Sequence, residues 1–248
     1  MTDLHCPFED KRSLQAVEQY MADHSWDYYI NLGDHLDYFS ISRFNEEKPG
    51  LIEGRTIIEE CKEGEKVLAR HVQIIKKKNP KAELYLLEGN HEYRATDFAL
   101  RSPQLRGIIE PEQVLKLEEK GIKYVKSWRN KNNVIRIGKA MFVHGSAVNQ
   151  HHAKKMVESY EDNIFYGHLH DVNSFNKTSI GTGKTKVGQS LGCLCRYPEE
   201  LDYTKGAPTN WQQAVTTFFF FPDGNFNHYI SRIVEHRVVS PDGKIYQG

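Results

Sequence analysis

Five short polar clusters hold the residue types that bind metal ions and move protons: Asp3-x-His5, Gly33-Asp34-x-x-Asp37, Gly89-Asn90-His91-Glu92, His144-Gly145 and Gly167-His168-x-His170. Each follows, or stands where it can follow, a short apolar run that reads as a strand. The central cluster shows the pattern best. Ala82 to Leu87 is bounded by Asn79-Pro80 in front and Gly89 behind. Gly89 lets the backbone turn, so that Asn90 and His91 project from the strand's carboxyl end, where open α/β sheets place ligands. Alone, this motif reads equally well as a polar turn; the five together do not. His5, His144, His168 and His170 with Asp3, Asp34 and Asn90 form a nitrogen and oxygen donor set that would overserve one ion and suits two. Two ions ~3.5 to 4 Å apart, with a bridging carboxylate, clamp an in-line displacement at phosphorus and ionise a bound water near pH 7. So many imidazoles argue against magnesium, and the lack of cysteine in the set argues against structural zinc. The expected cofactor is therefore two divalent ions, manganese first, then iron, zinc, cobalt or nickel.

Alternating elements must hold these clusters. Asp10 or Ser13 caps a helix with Leu14, Val17, Tyr20 and Met21 on one side, and Tyr28 to Leu32 is a strand running into Gly33. Between Arg55 and Lys78 a helical stripe includes Ile58, Cys61, Leu68, Val72 and Ile75 and closes in three lysines. A mixed stretch follows Glu92 to about Gly107, and Pro111 opens a helix over Glu112 to Lys120. Strands are then expected at Lys123 to Lys126, Val134 to Ile137, Ala140 to Val143, Ile164 to Tyr166 and Val187 to Leu191, with a helix at His152 to Tyr160. Ala214 to Phe221 and Phe226 to Val234 read as a hairpin, with Phe218 to Phe221 buried on both faces. Cys193 to Trp211 reads as a long loop of the kind that covers a site. Only Met1-Thr2 precedes Asp3, so an upstream extension of about five apolar residues is expected to complete a first strand.

With 248 residues, 39% hydrophobic and 27% charged, the chain is long enough for one sizeable core, and no linker or repeat divides it. Thirty-three basic and 33 acidic side chains cancel, so there is no bulk basic field to attract nucleic acid, although a local patch is compatible with this balance. Four scattered cysteines point to a reducing compartment rather than a disulfide framework. With no leader and no membrane-length apolar run, the expectation is a soluble cytoplasmic protein without a membrane partner.

In order and spacing, the five clusters from Asp3 to His170 resemble the motifs of the calcineurin-like metallophosphoesterases. Cys195-Arg-Tyr-Pro through Trp211-Gln-Gln is similar to phage and prophage-type members. The resemblance implies an α/β fold, a four-layer α/β/β/α sandwich of two packed mixed β-sheets flanked by helices, as one domain over residues 1–248. It implies that Asp3, His5 and His170 hold one ion, Asn90, His144 and His168 the other, and that Asp34 bridges. His91 would be the general acid and Asp37 its orienting partner. The implied reaction is phosphoester hydrolysis by in-line attack of a metal-bound hydroxide.

Departures from related patterns bear on the substrate. In the protein serine/threonine phosphatases, an arginine follows the second aspartate and another precedes the glycine; here Tyr38 and Glu88 stand in those places. Loss of two guanidinium clamps puts a phosphodiester, in nucleic acid or a nucleotide, ahead of a phosphomonoester or phosphoprotein. Arg94 is expected to supply one phosphate contact, and His35 either touches phosphate or merely supports the site. A metal-binding scaffold without catalysis is the other class, disfavoured because a scaffold needs neither His91 nor Asp37. Gly181-Thr-Gly183-Lys184-Thr185 lacks the leading glycine of a phosphate loop and reads as a turn, Cys193-x-Cys195 reads as two half-buried thiols, and His151 and His152 as solvated.

Overall fold

The computed structural model describes residues 1–196 and 209–248. In chain order the main elements are α1 (Lys11–Asp23), β1 (Tyr28–Asn31), α2 (Ile57–Lys78), β2 (Glu83–Leu87), α3 (Asn90–Arg101), α4 (Pro111–Val114), β3 (Ile122–Val125), β4 (Ile135–Ile137), β5 (Ala140–Val143), α5 (His152–Tyr160), β6 (Ile164–Tyr166), β7 (Ser174–Thr178), β8 (Thr185–Ser190), β9 (Ala214–Phe220), β10 (Phe226–Val234), β11 (Arg237–Val239) and β12 (Ile245–Gln247). They form an α/β protein with three sheets, ordered β1-β2-β3, β4-β5-β6-β8-β7 and β12-β11-β10-β9. The first is parallel, the third antiparallel, and the second parallel at its centre, β5 to β6 to β8. Parallel strands place their carboxyl ends on one side, which is why loops distant in sequence can meet.

Local signals explain most boundaries. The Asp10 carboxylate accepts the Arg12 and Ser13 backbone N–H groups and starts α1. Thr56 caps α2 in the same way, and Lys76, Lys77 and Lys78 sit at its negative end. Leu32, Leu87, Phe142 and Phe165, from strands and their exits in the first two sheets, share a core with Phe218, Phe220 and Phe226 of the β9–β10 hairpin. Met141, Val143, Ile164 and Tyr166 point to the opposite face, against Met156 and Val157 of α5. Every residue of β5 and β6 is accordingly buried.

Several expectations need correcting. Phe219 and Phe221 are each 52% exposed, because β9 buries Phe218 and Phe220 on one face only. Ile58 is 75% exposed, and its neighbour Ile57 packs on the core instead. The stretch after Gly89 is helix α3, while α4 spans only four residues before it breaks into turns. Strand β7 is exposed at all five residues and has no apolar alternation to betray it. The segment from Met1 to Cys6 runs beside the end of β1, with Leu32 donating to Met1 O at 2.9 Å and Asp3, His5 and Cys6 donating to Gly33, Asp34 and His35 carbonyls at 3.1, 2.9 and 2.8 Å. The expected covering loop falls largely on residues 197–208, outside the described residues. Among the described residues, no helix is long and apolar enough to cross a membrane.

Phe165 is fully buried and meets Phe142, Phe218 and Phe226 edge-on or tilted, with centroids 5.7, 4.7 and 5.5 Å away. Phe165→Ala should therefore cost about 3 to 5 kcal/mol, read as a lower urea midpoint at unchanged m-value; a loss under 1 kcal/mol would show that this core can collapse around the void.

Candidate metal centre

The clusters lie in loops that leave strands on one side, at the start of α3 directly after β2, or in the segment beside β1. Five of the ligand candidates hold left-handed backbone: Asp3 and His5 with φ 52°, Asp34 with φ 50°, His168 with φ 74° and His170 with φ 62°. Each such non-glycine residue costs about 1 to 3 kcal/mol, which the surrounding bonds must overcome. Gly89 is required by close approach rather than by its own φ. A Cβ there would sit 2.1 Å from Asp34 Oδ1.

The centre is organised around Asp34. Its Oδ1 accepts the His91 backbone N–H at 2.9 Å, and its Oδ2 lies 3.3 Å from His144 Nε2, 3.7 Å from His5 Nε2 and 3.9 Å from His91 Nε2. On one side, His170 Nε2 is 3.1 Å from Asp3 Oδ1 and 3.0 Å from His5 Nε2. One donor atom from each of Asp3, His5, Asp34 and His170 lies within 4.8 Å of the others. On the other side, Asp34, His144 and His168 meet the same limit, and Asn90 Oδ1 is 3.1 Å from His144 Nε2. The seven residues expected as ligands thus form two groups sharing one carboxylate.

The chemistry of this donor set fits cations. His144 Nδ1–H donates to Leu32 O at 2.9 Å and His5 Nδ1–H to Asp37 Oδ2 at 2.9 Å, which leaves both Nε2 lone pairs aimed at buried carboxylates. Lone pairs and carboxylates repel unless a proton or a metal ion lies between them. Burial favours neutral histidine, yet for His144 the Asp34 charge outweighs it and raises the pKa to about 9. Burial likewise disfavours a charged His5, but bonds to Asp3 and Asp37 drive its pKa well above the usual histidine value. The opposite holds for His168, which burial and His144 bring down to about 4 and whose buried Nδ1 has no hydrogen-bond partner among the described residues. Ions would take over the role of these protons.

Asp37 is fully buried and serves two histidines: besides holding His5, its carbonyl accepts His91 Nδ1–H at 2.9 Å and its carboxylate lies 3.2 Å from the same nitrogen. Arg94 caps this arrangement. Its Nη1 donates to Asp37 O at 2.9 Å and Oδ1 at 3.2 Å, and its Nη2 donates to His91 Nε2 at 3.1 Å. Burial and the Arg94 charge lower the His91 pKa, so in this arrangement the ring is neutral.

No protein-family model matches the chain, and no curated protein is significantly similar to it.

Three placements differ from expectation; for His35 the phosphate contact fails, while the supporting role fits its backbone bond to Glu92. His35 is fully buried, with Nδ1 accepting from Asn31 at 3.0 Å and Nε2–H donating to Gly64 O at 2.8 Å, so neither nitrogen is available to phosphate. His152 is buried rather than solvated, held between Tyr166 OH at 2.7 Å and Asp171 at 3.0 Å. The thiols of Cys193 and Cys195 are fully rather than half buried, and Cys195 Sγ lies 3.9 Å from His170 Nδ1.

The residue whose part the sequence reading missed is Glu92. Its Oε2 accepts the Asp34 and Gly89 N–H groups at 2.8 and 2.9 Å, and its Oε1 those of His35 and Leu36 at 2.8 and 3.0 Å. Position in the motif could have flagged it, but its partners are more than 50 residues away apart from Gly89. Burial and Asp34 push its pKa up to about 7, against the pull of these donors. Glu92→Gln turns an amide NH₂ toward two of the four donors and leaves them buried without an acceptor, at about 1 to 3 kcal/mol each. Chemical denaturation should show that loss, and calorimetric titration should show divalent-ion affinity weakened about 10- to 100-fold; unchanged values for both would remove Glu92 from the centre's support.

Proposed function

We propose that this chain is a dinuclear metal-dependent phosphoesterase of the calcineurin-like superfamily, its sheets and helices arranged as the four-layer sandwich of that family. The observation that carries the reading is the pair of buried donor groups, Asp3, His5 and His170 against Asn90, His144 and His168, meeting at Asp34. Two divalent ions, manganese foremost, would supply charge to bind the phosphoryl oxygens and a water ionised near neutral pH. Asp34 would touch both, and the Nδ1 bonds of His5 and His144 set the ring orientations in advance. Cytoplasmic location is supported by four unpaired cysteines, which suit a reducing compartment.

Proton delivery falls to His91. A phosphoryl group entering beside Asp34 would draw the Arg94 guanidinium off His91 Nε2 and add negative charge next to the ring. Both changes raise the ring's proton affinity, and Asp37 already holds Nδ1. Arg94 would then contact a phosphoryl oxygen. A scaffold role gains nothing from a chain of buried Asp37 and His91 closed by half-buried Arg94, which is why hydrolysis is favoured over metal binding alone.

Elemental analysis tests the shared carboxylate: Asp34→Asn should lose at least one of two bound ions and nearly all activity, whereas two retained ions with normal turnover would refute the assignment. For His91, the leaving group is the readout. An alkoxide departs poorly without a proton and a nitrophenolate does not need one, so His91→Ala should cost about 10² to 10⁴ on an alkyl ester and far less on a nitrophenyl ester, with metal content unchanged. Equal losses on both esters would make His91 a phosphate-positioning group, and loss of an ion would make it a ligand.

A further inference from the structure

The loop after β3 brings an aromatic and basic group to the metal centre. The Trp128 ring lies against His168 and His144, with centroids 5.3 and 5.8 Å apart. Lys131 Nζ stands 4.4 Å over the Trp128 ring, and the Arg129 guanidinium is 4.8 Å from the Tyr93 ring on α3. Trp128, Lys131, Asn133, His144 and Gly145 line one small concavity. This loop is anchored from within: Ser127 Oγ donates to Glu88 O at 3.1 Å and Trp128 N–H to Glu88 Oε2 at 3.2 Å. Glu88 immediately precedes Gly89, so the residue standing where the phosphoprotein phosphatases carry a phosphate-binding arginine here fastens a tryptophan beside the ligands.

We propose that Trp128 is a nucleobase-stacking platform at the mouth of this centre, and that the substrate is a phosphodiester linking nucleosides. The proposal rests on the phosphoesterase reading of the same site. Only His144 separates the two, its ring 5.8 Å from that of Trp128 and its Nε2 3.3 Å from Asp34 Oδ2, so a base joined through its sugar to a phosphate at Asp34 would lie beside the Trp128 ring. Stacking needs a flat aromatic face beside cationic groups that follow the backbone, and this is the composition of the loop. Lys131 covers one face of Trp128 through a flexible stem; an incoming base takes that face, and the ammonium moves to a neighbouring phosphate. Burial and repulsion from Arg129 lower the Lys131 pKa, against the pull of Glu88. On the other side of the centre, the Trp211 ring lies 4.1 Å from that of His170. Aromatic rings on two sides suit a diester, which carries a substituent in each direction, better than a monoester.

The test compares two esters with the same leaving group, thymidine 5′-(p-nitrophenyl) phosphate and methyl p-nitrophenyl phosphate, on manganese-loaded wild type, Trp128→Ala and Trp128→Phe. Stacking is worth about 5-fold or more per base, so Trp128→Ala should lower the ratio of kcat/KM values, thymidine ester over methyl ester, by at least that factor, mainly through KM. Trp128→Phe should restore the ratio to within about twofold of wild type. An equal fall on both esters, or no change in the ratio, overturns the proposal. Binding of a labelled, phosphorothioate-linked oligothymidylate, read by fluorescence anisotropy, separates this from the parent reading. If wild type hydrolyses neither ester, the phosphoesterase assignment fails by itself. Trp128→Ala must still bind the oligonucleotide at least about 5-fold more weakly for the stacking platform to stand, and unaltered binding removes it.

Discussion

One buried carboxylate ties the centre together. Glu92 accepts four backbone N–H groups, three from the turn after β1 and one from the turn after β2. Ordinary side-chain bonds fix a side chain; these fix two stretches of main chain against each other. Asp34 and Asn90 sit on those stretches, so their separation is set by the reach of one glutamate rather than by the sheet alone. The short contact that a Cβ on Gly89 would make with Asp34 shows how close this clamp brings the turns. Any side chain at position 89 would collide with the backbone and carboxylate of Asp34.

Strain accompanies this precision. Left-handed backbone at Asp3, His5, Asp34, His168 and His170 turns each side chain back toward a common point that ordinary strand exits would overshoot. The offset comes from rigid surroundings: strands β5 and β6 are buried on both faces, and the aromatic cluster around Phe165 leaves little room for the exits to relax. Rigid sheets carry the strained loops, and the strained loops aim the chemistry.

Much of this was legible in the sequence, for identifiable reasons. The helix at Lys11–Asp23 and the strands at Ala140–Val143 and Ile164–Tyr166 carry strong apolar periodicity or continuous burial, and both signals act over few residues. Asp34, Asn90, His144 and His168 could be picked out because each stands next to a glycine, and Asp3, His5 and His170 because of their spacing within the ordered set of clusters. What stayed hidden depends on distant partners. His35 looks like a site residue by adjacency to Asp34, yet a left-handed residue in front of it turns its ring toward Gly64. Glu88 and Trp128 are 40 residues apart and acquire meaning only when β2 and β3 pair. The exposed strand β7 has no burial pattern, so periodicity could not reveal it.

The two ends of the centre lie far apart along the chain: His170 meets Asp3 across 167 positions and His5 across 165. Closing loops of that length carries an entropic cost with no local reward, which the packing of the intervening sheets must offset. A chain cut before His170 would lose a donor beside Asp3 and His5 yet keep the Glu92 clamp, which spans only positions 34 to 92. Part of the centre is thus local to the first sheet, and the rest depends on residues far along the chain.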